Sequence, residues 1–221
     1  MDRVIKRKII LASASPRRKE ILGKLNTPFE ICVSGCDEST DIQDPAKLVA
    51  RLSELKASDV FGKNGKALVI GADTVVAHNG HIMGKPHDRN EAVNMIREYA
   101  GDVHQVYTGV TIIVPELTSC EKKNIENITS KLKRYAENIS VSLSNDNMLK
   151  VIYSVRTEVE VAHMSEEEIE NYVSGGEPMD KAGAYAIQGD FAPYISRISG
   201  DYYNVVGLPV STVYSIIKNF V

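Results

Sequence analysis

Two arginines that follow a Ser-Ala-Ser-Pro stretch are the first residues of the chain suited to chemistry. Ile9, Ile10, Leu11 and Ala12 make an apolar run. Ser13, Ser15 and Pro16 come next, then Arg17 and Arg18, with Ile21, Leu22 and Leu25 at helical spacing. Ser15 suits an N-cap, and Pro16 suits a first helical turn, where its missing N–H costs nothing. A helix start offers free backbone N–H groups and partial positive charge. Two arginines added there make a site for phosphate or another polyanion. The alternative is a solvated Arg-Arg pair. Cations oppose the dipole at that end, so a bound anion is the more economical explanation.

Three further positions could serve the same chemistry. Asp73 interrupts the apolar run Ala67 to Ala77, and an unpaired buried carboxylate is expensive. It should have a cation partner or line a polar cleft; a structural Asp capping a turn is the other reading. Lys56 flanks an apolar helical stripe, where it either snorkels to solvent or reaches into a cleft. Gly84 and Pro86 bracket Lys85 in a loop that would aim it, although a loop lysine is more often solvated. Glu38 lies in an acidic patch with Asp37, Asp41 and Asp44. An anion-binding helix start, two aimed lysines and acidic positions together suit a triphosphate, which usually travels with Mg²⁺. Neither P-loop spacing nor GxGxxG occurs, so this is not a Walker or Rossmann site. Composition and spacing stop at a phosphate ligand, with an enzyme as the leading class.

The 221 residues can bury a full core. Hydrophobic content of 43% and charged content of 25% are ordinary for a soluble globular protein. A net charge of −3 supplies no basic field to recruit nucleic acid. No apolar run approaches the roughly 20 residues of a membrane span. Met1 to Lys8 is charged and does not read as a signal peptide. Cys32, Cys36 and Cys120 form no even framework, so a reduced cytosolic compartment is expected. Zinc ligation by Cys32 and Cys36 with histidines matches no common spacing.

The elements that would carry these residues follow from periodicity. Ile9–Ala12 reads as a buried strand and Pro16 onward as a helix. Phe29, Ile31 and Val33 alternate with Glu30, Cys32 and Ser34, as in a half-buried strand. Asp44-Pro45 opens a helix with Leu48, Leu52 and Leu55 on its apolar stripe. Residues 67–77 form a buried strand, turned by Asn79-Gly80 into a hairpin with His81–Met83. Asp88 to Ala100 is a helix stopped by Gly101. Residues 103–114 and 148–163 read as long antiparallel strands. Ser165 with Glu168 opens another helix. Residues 177–189 form a Gly-punctuated loop of the kind that carries function. Ile195 to Val206, broken at Gly200-Asp201, reads as a last hairpin, and Pro209 starts a closing helix. The order is α/β with a mixed sheet, and no linker clearly divides the chain.

Residues 116–147 stand apart in composition, rich in Lys, Glu, Asn and Ser. Ile125, Ile128, Leu132, Tyr135 and Ile139 recur three or four apart, as on one amphipathic helix; a mobile solvated insert is the alternative. Asn127 and Asn138 head sequons, but no secretory signal supports their use.

Several motifs occur in order. They are Leu-Ala-Ser-Ala-Ser-Pro-Arg-Arg (11–18), Gly-Ala-Asp-Thr (71–74) and Gly-Lys-Pro (84–86). Glu-Pro-Met-Asp-Lys-Ala-Gly-Ala-Tyr (177–185) with Ile-Gln-Gly (187–189) and Val-Gly-Leu-Pro (206–209) complete the set. From about Lys8 to the C-terminus the chain resembles the Maf family of nucleoside triphosphate pyrophosphatases. The resemblance implies one Maf-like domain over residues 1–221, with the polar segment at about 116–147 inserted. It implies a mixed, elongated sheet flanked by helices, with two lobes around a cleft as in the inosine triphosphate pyrophosphatases (the Maf/Ham1 fold), and a cytoplasmic homodimer. It implies cleavage between the α- and β-phosphates, with Asp73 as the catalytic residue that activates water. Ser13, Arg17 and Arg18 match the phosphate-gripping loop, and Lys56 and Lys85 match further phosphate-neutralising lysines. Glu38 and Asp73 match acidic positions serving a divalent metal, Mg²⁺ with Mn²⁺ or Co²⁺ as alternatives. Arg17, Thr74 and Gln188 match the branch acting on dTTP and UTP and, by extension, modified pyrimidine nucleotides. A Gln amide can pair with the donor–acceptor edge of uracil or thymine.

The same residues admit a second class of function. A nucleotide-binding regulator, acting in septum formation through a partner docked on residues 118–146, predicts tight binding without turnover. The acid and lysine set favours the enzyme. A general phosphatase is weaker and predicts orthophosphate as the product.

Overall fold

Most of the apolar runs become strands, and the capped segments between them become helices. The structure is a computed structural model and describes residues 7–221. The charged stretch that precedes the first strand lies, over residues 1–6, outside the described residues. In chain order the elements are β1 (Ile9–Ala12), α1 (Pro16–Gly23), β2 (Phe29–Ile31), α2 (Pro45–Lys63), β3 (Leu68–His78), β4 (His81–Met83), α3 (Arg89–Tyr99) and β5 (Val103–Val114). There follow α4 (Ser119–Lys122), α5 (Ile125–Leu132), β6 (Glu137–Leu143), β7 (Leu149–Val161) and α6 (Glu166–Ser174). Short 3₁₀ turns lead to β8 (Ile195–Ser199), α7 (Tyr202–Val206) and α8 (Val210–Ile217). None of the helices among the described residues is long and apolar enough to cross a membrane.

Eight strands form one mixed sheet in the order β2-β1-β3-β5-β7-β6, with β4 added to β3 and β8 to β7. β1 runs parallel to β2 and β3, and the other pairings are antiparallel. One edge of β3 is covered twice. β1 pairs along it as far as Gly71, and β4 resumes at Val76. Between them residues 72–75 have no strand partner on that edge, while β5 pairs continuously along the other. Asp73 and Thr74 stand in this notch.

Apolar side chains gather on either side of the notch. One cluster joins Leu11, Ile21, Leu22, Ile70 and Val206 with α8; the other joins Val76 and Val106 with α3, α6, Tyr185 and Phe191. Ile187 packs against both. Two lobes with a cleft between them result.

Helix α2 crosses β3, β5 and β7. Its buried face is Ala46, Val49, Ala50, Ser53, Ala57 and Val60 together with Leu52, turned from the Leu48-Leu52-Leu55 stripe expected. Small residues let the backbone come close, and the strands answer with glycine. A Cβ at Gly109 would lie 2.0 Å from the Val49 carbonyl oxygen, and one at Gly71 would lie 2.5 Å from that of Ser53. Pressed this near, α2 brings Lys56 over the notch in β3.

Three expectations are corrected. Residues 116–147 are neither one helix nor a loose insert: α5 ends at Leu132, and β6 pairs with β7. Ile128 and Leu132 are 2% and 1% exposed, whereas Tyr135 is 65% exposed. Residues 195–206 are not a hairpin. β8 pairs with β7, and Asp201 caps the N–H groups of Tyr203 and Asn204 to open α7. Strand β2 stops at Ile31, and its expected inner face is partly outward, since Ile31 and Val33 are exposed while Cys32 packs on the core. Asn79 and Gly80, both at positive φ, make the expected tight turn.

Candidate active site

The start of α1 has the expected local structure. Ser15 Oγ accepts from Arg18 N at 3.4 Å, and Pro16 occupies the first turn. Ser13 Oγ, buried behind it, accepts from Ser15 N at 3.2 Å and from Arg18 Nη1 at 3.3 Å. Arg18 is also tied across the cleft. Its Nε donates to Gly207 O at 2.8 Å and its Nη2 to Thr74 Oγ1 at 2.9 Å. Burial is the largest influence on this guanidinium and lowers its pKa; Asp73 and Glu38 oppose that shift, and Arg17 adds to it. A buried cation with a second cation beside it is a setting that an anion relieves.

Asp73 has the cation partner its burial demanded. Lys56 Nζ donates to Asp73 Oδ1 at 2.6 Å and pairs with Glu38 Oε2 at 2.9 Å. The Lys56 and Asp73 side chains are 15% and 14% exposed, and Glu38 is 48% exposed. So Lys56 is not a snorkelling surface lysine, and Asp73 does not cap a turn.

A cavity of about 280 Å³ opens in front of these groups, lined by Arg17, Arg18, Asp73, Thr74, Lys85 and Gln188 among others. Among the described residues the side chains of Arg17, Lys85 and Gln188 take no protein partner, so their polar groups are available to a ligand. The far wall is residues 180–188. Gly183 N donates to Gly84 O at 2.9 Å, which ties this wall to the loop carrying Lys85. Glu177 braces it from behind, accepting from Tyr172 Oη at 2.9 Å and from Asp190 N at 3.0 Å. Tyr185 lines the wall, with its hydroxyl 2.7 Å from His104 Nε2.

Ser13, Lys56 and Glu38 do not line the cavity itself. Ser13 acts on it through Arg18, and Lys56 through Asp73, while Glu38 reaches Lys56 from the outer side. Lys181, for which the sequence alone suggests no role, lines the cavity and is paired with the exposed Asp180. The signal was the run Asp180-Lys181-Ala182-Gly183 in the Gly-punctuated loop. Asp180 is held below the usual carboxylate range, first by its bond to Lys181 and also by the charge of Arg17.

No three His, Cys, Asp or Glu side chains converge as a metal cluster among the described residues. Asp73 and Glu38 instead offer two carboxylates on one ammonium. An oxygen-only pair beside a phosphate cleft suits a hard divalent cation that takes its remaining ligands from phosphate and water.

Comparison with known proteins decides the family. A family model described as Maf-like protein matches residues 8–220. The chain belongs to the Maf family. Among curated Maf relatives, the dTTP/UTP pyrophosphatase of Alkaliphilus metalliredigens (strain QYMF) is 43% identical over 205 residues, 92% of this chain and 91% of that protein. A protein of the same name from Bacillus cereus (strain B4264) is 40% identical over 215 residues, 97% of this chain and 96% of its own length. The one from Lachnoclostridium phytofermentans is 38% identical over 213 residues, 96% and 94% of the two chains. Each motif that carries the Maf resemblance contributes residues to the lining of the cleft: 11–18, 71–74, 84–86, 177–185 with 187–189, and 206–209.

Proposed function

We propose that this Maf protein hydrolyses dTTP and UTP between the α- and β-phosphates, giving the nucleoside monophosphate and pyrophosphate. The observation that carries the reading is that one cleft holds Arg17 and Lys85, two cations with no partner among the described residues, beside a carboxylate already oriented by Lys56. A triphosphate tail is the ligand that uses all of them.

Arg17, Arg18 and Lys85 grip the phosphates and neutralise the charge that builds on the leaving pyrophosphate. Asp73, fixed through Oδ1 by Lys56, presents Oδ2 to a water and takes its proton as the water oxygen attacks the α-phosphorus. The bond from that phosphorus to the bridging oxygen breaks, and the electron pair leaves with pyrophosphate. Asp73 and Glu38 would hold the divalent cation, Mg²⁺ with Mn²⁺ or Co²⁺ as alternatives, which when bound screens phosphate charge. Gln188, on the far wall, meets the pyrimidine edge with one donor and one acceptor. The reading extends to modified pyrimidine nucleotides and to a cytoplasmic homodimer, as the family resemblance implies.

The test is release of pyrophosphate from a panel of common and 5-substituted nucleoside triphosphates with Mg²⁺ or Mn²⁺. Preference for dTTP and UTP supports the proposal. A purine preference overturns the substrate assignment, and orthophosphate as the first product overturns the reaction.

A further inference from the structure

Nε and Nη2 of Arg18 belong to one closed ring of hydrogen bonds, while Nη1 donates to Ser13 Oγ outside it. Arg18 Nη2 donates to Thr74 Oγ1 at 2.9 Å, and Thr74 Oγ1 lies 2.9 Å from Thr108 Oγ1. Thr108 Oγ1 donates to Asn204 O at 2.9 Å. Gly207 N donates to the same Asn204 carbonyl at 3.0 Å, and Gly207 O accepts from Arg18 Nε at 2.8 Å. The ring therefore starts and ends on the guanidinium.

The direction of each bond follows from the donors available. A carbonyl cannot donate, so the single Thr108 proton goes to Asn204 O. Thr108 Oγ1 must then accept from Thr74, whose own proton is spent on it. That leaves the Thr74 oxygen facing Arg18 as an acceptor only, which is the polarity a guanidinium needs. Thr108 is 0% exposed and lines no part of the cleft, so it can act on a ligand only through these partners.

We infer that Thr108 is a positioning residue for the phosphate clamp: by fixing the polarity of Thr74 and the carbonyl of Asn204, it holds Arg18 in the plane that aims its remaining N–H groups at phosphate. The inference rests on the nucleotide-binding reading of the cleft and adds a residue outside it. The handle is a hydroxyl, so the isosteric Thr108→Val removes it with little change of volume, and Thr108→Ser restores it.

The experiment compares Thr108→Val, Thr108→Ser and Thr111→Val with the parent chain. Thr111 lies on the same strand, is equally buried and bonds to Ser53 Oγ at 2.9 Å, outside the ring, so it controls for loss of one buried hydroxyl. Two quantities are read: KM and kcat for Mg²⁺–dTTP, and calorimetric affinity for inorganic tripolyphosphate, which needs no turnover. Thr108→Val is expected to raise KM and to weaken tripolyphosphate binding about tenfold, with kcat changed less. Thr108→Ser should return both to parent values, and Thr111→Val should leave both unchanged even where it lowers the melting temperature. Parent-like KM and affinity in Thr108→Val, or an equal loss in Thr111→Val, would overturn the inference. A parent chain that binds tripolyphosphate through Thr108 yet hydrolyses no nucleotide would overturn the catalytic reading and leave the positioning role standing.

Discussion

The Lys56 ammonium stands 2.6 Å from Asp73 Oδ1, on a helix held against the sheet by a carbonyl-to-glycine contact two turns away. The pair is the point at which packing becomes chemistry. Lys56→Met keeps the stem and removes the charge. It should lower kcat for dTTP hydrolysis by about 10²-fold, because Asp73 is then free to rotate. Steady-state pyrophosphate release measures this; kcat within a factor of about two of the parent would detach Lys56 from the mechanism.

Lys181 and Asp180 make opposite predictions. Lys181 lines the cleft and is neutralised by Asp180 before a ligand arrives. Lys181→Met should raise KM for dTTP about tenfold, and Asp180→Asn should lower KM or leave it alone, because a competing anion has gone. Titration of the two variants separates this from a purely structural ion pair, for which both would lose affinity.

Residues 119–143 are part of the fold. Leu132 is 1% exposed and packs into the same cluster as Leu11 and Ile70, so Leu132→Ala should cost about 2–5 kcal/mol of stability in urea denaturation. A change under about 0.5 kcal/mol would mean that the segment is not packed as described.

His104 should make the folded state less stable in acid. Burial pushes its pKa from 6.5 down to about 3, with the charge of His78 adding to the shift and Asp102 opposing it. The folded state therefore holds His104 neutral where the unfolded chain would protonate it. The contribution of His104 to stability is full above pH 6.5 and should fall as pH drops from there toward about 3, by at most about 1.4 kcal/mol per pH unit. Thermal melts across that window should be less steep with pH in His104→Gln than in the parent. Equal slopes would assign the acid lability to carboxylates such as Glu121: burial raises its pKa, but its bonds to Arg7 and Thr118 together hold it below its usual range.

Much of this was legible in the residues because several local rules agreed. At 9–18 an apolar run, an N-cap serine and a first-turn proline point to the same strand-to-helix corner that the structure has. Asp73 was legible as a problem needing a cation, but not which cation, since Lys56 is 17 residues away on an element whose rotation is set by glycines on two strands. Residues 202–206 read as a strand from their aromatic and β-branched side chains. The Asp201 cap and the buried Asn204, which donates to Val106 O and Thr157 Oγ1, decide for a helix. In 116–147 a true helical spacing through Ile128 and Leu132 ran by coincidence into Tyr135 and Ile139, which hid the alternation of β6. The Thr74–Thr108–Asn204 ring left no trace, because it joins three distant segments through hydroxyls common in any strand.

The most direct test of the central claim is phosphorus NMR of Mg²⁺–dTTP incubated with the parent chain and with Asp73→Asn. The account requires dTMP and pyrophosphate from the parent, and a rate lowered by about 10³-fold or more in the variant, with nucleotide still bound. Formation of dTDP and orthophosphate, or undiminished turnover by Asp73→Asn, would contradict it.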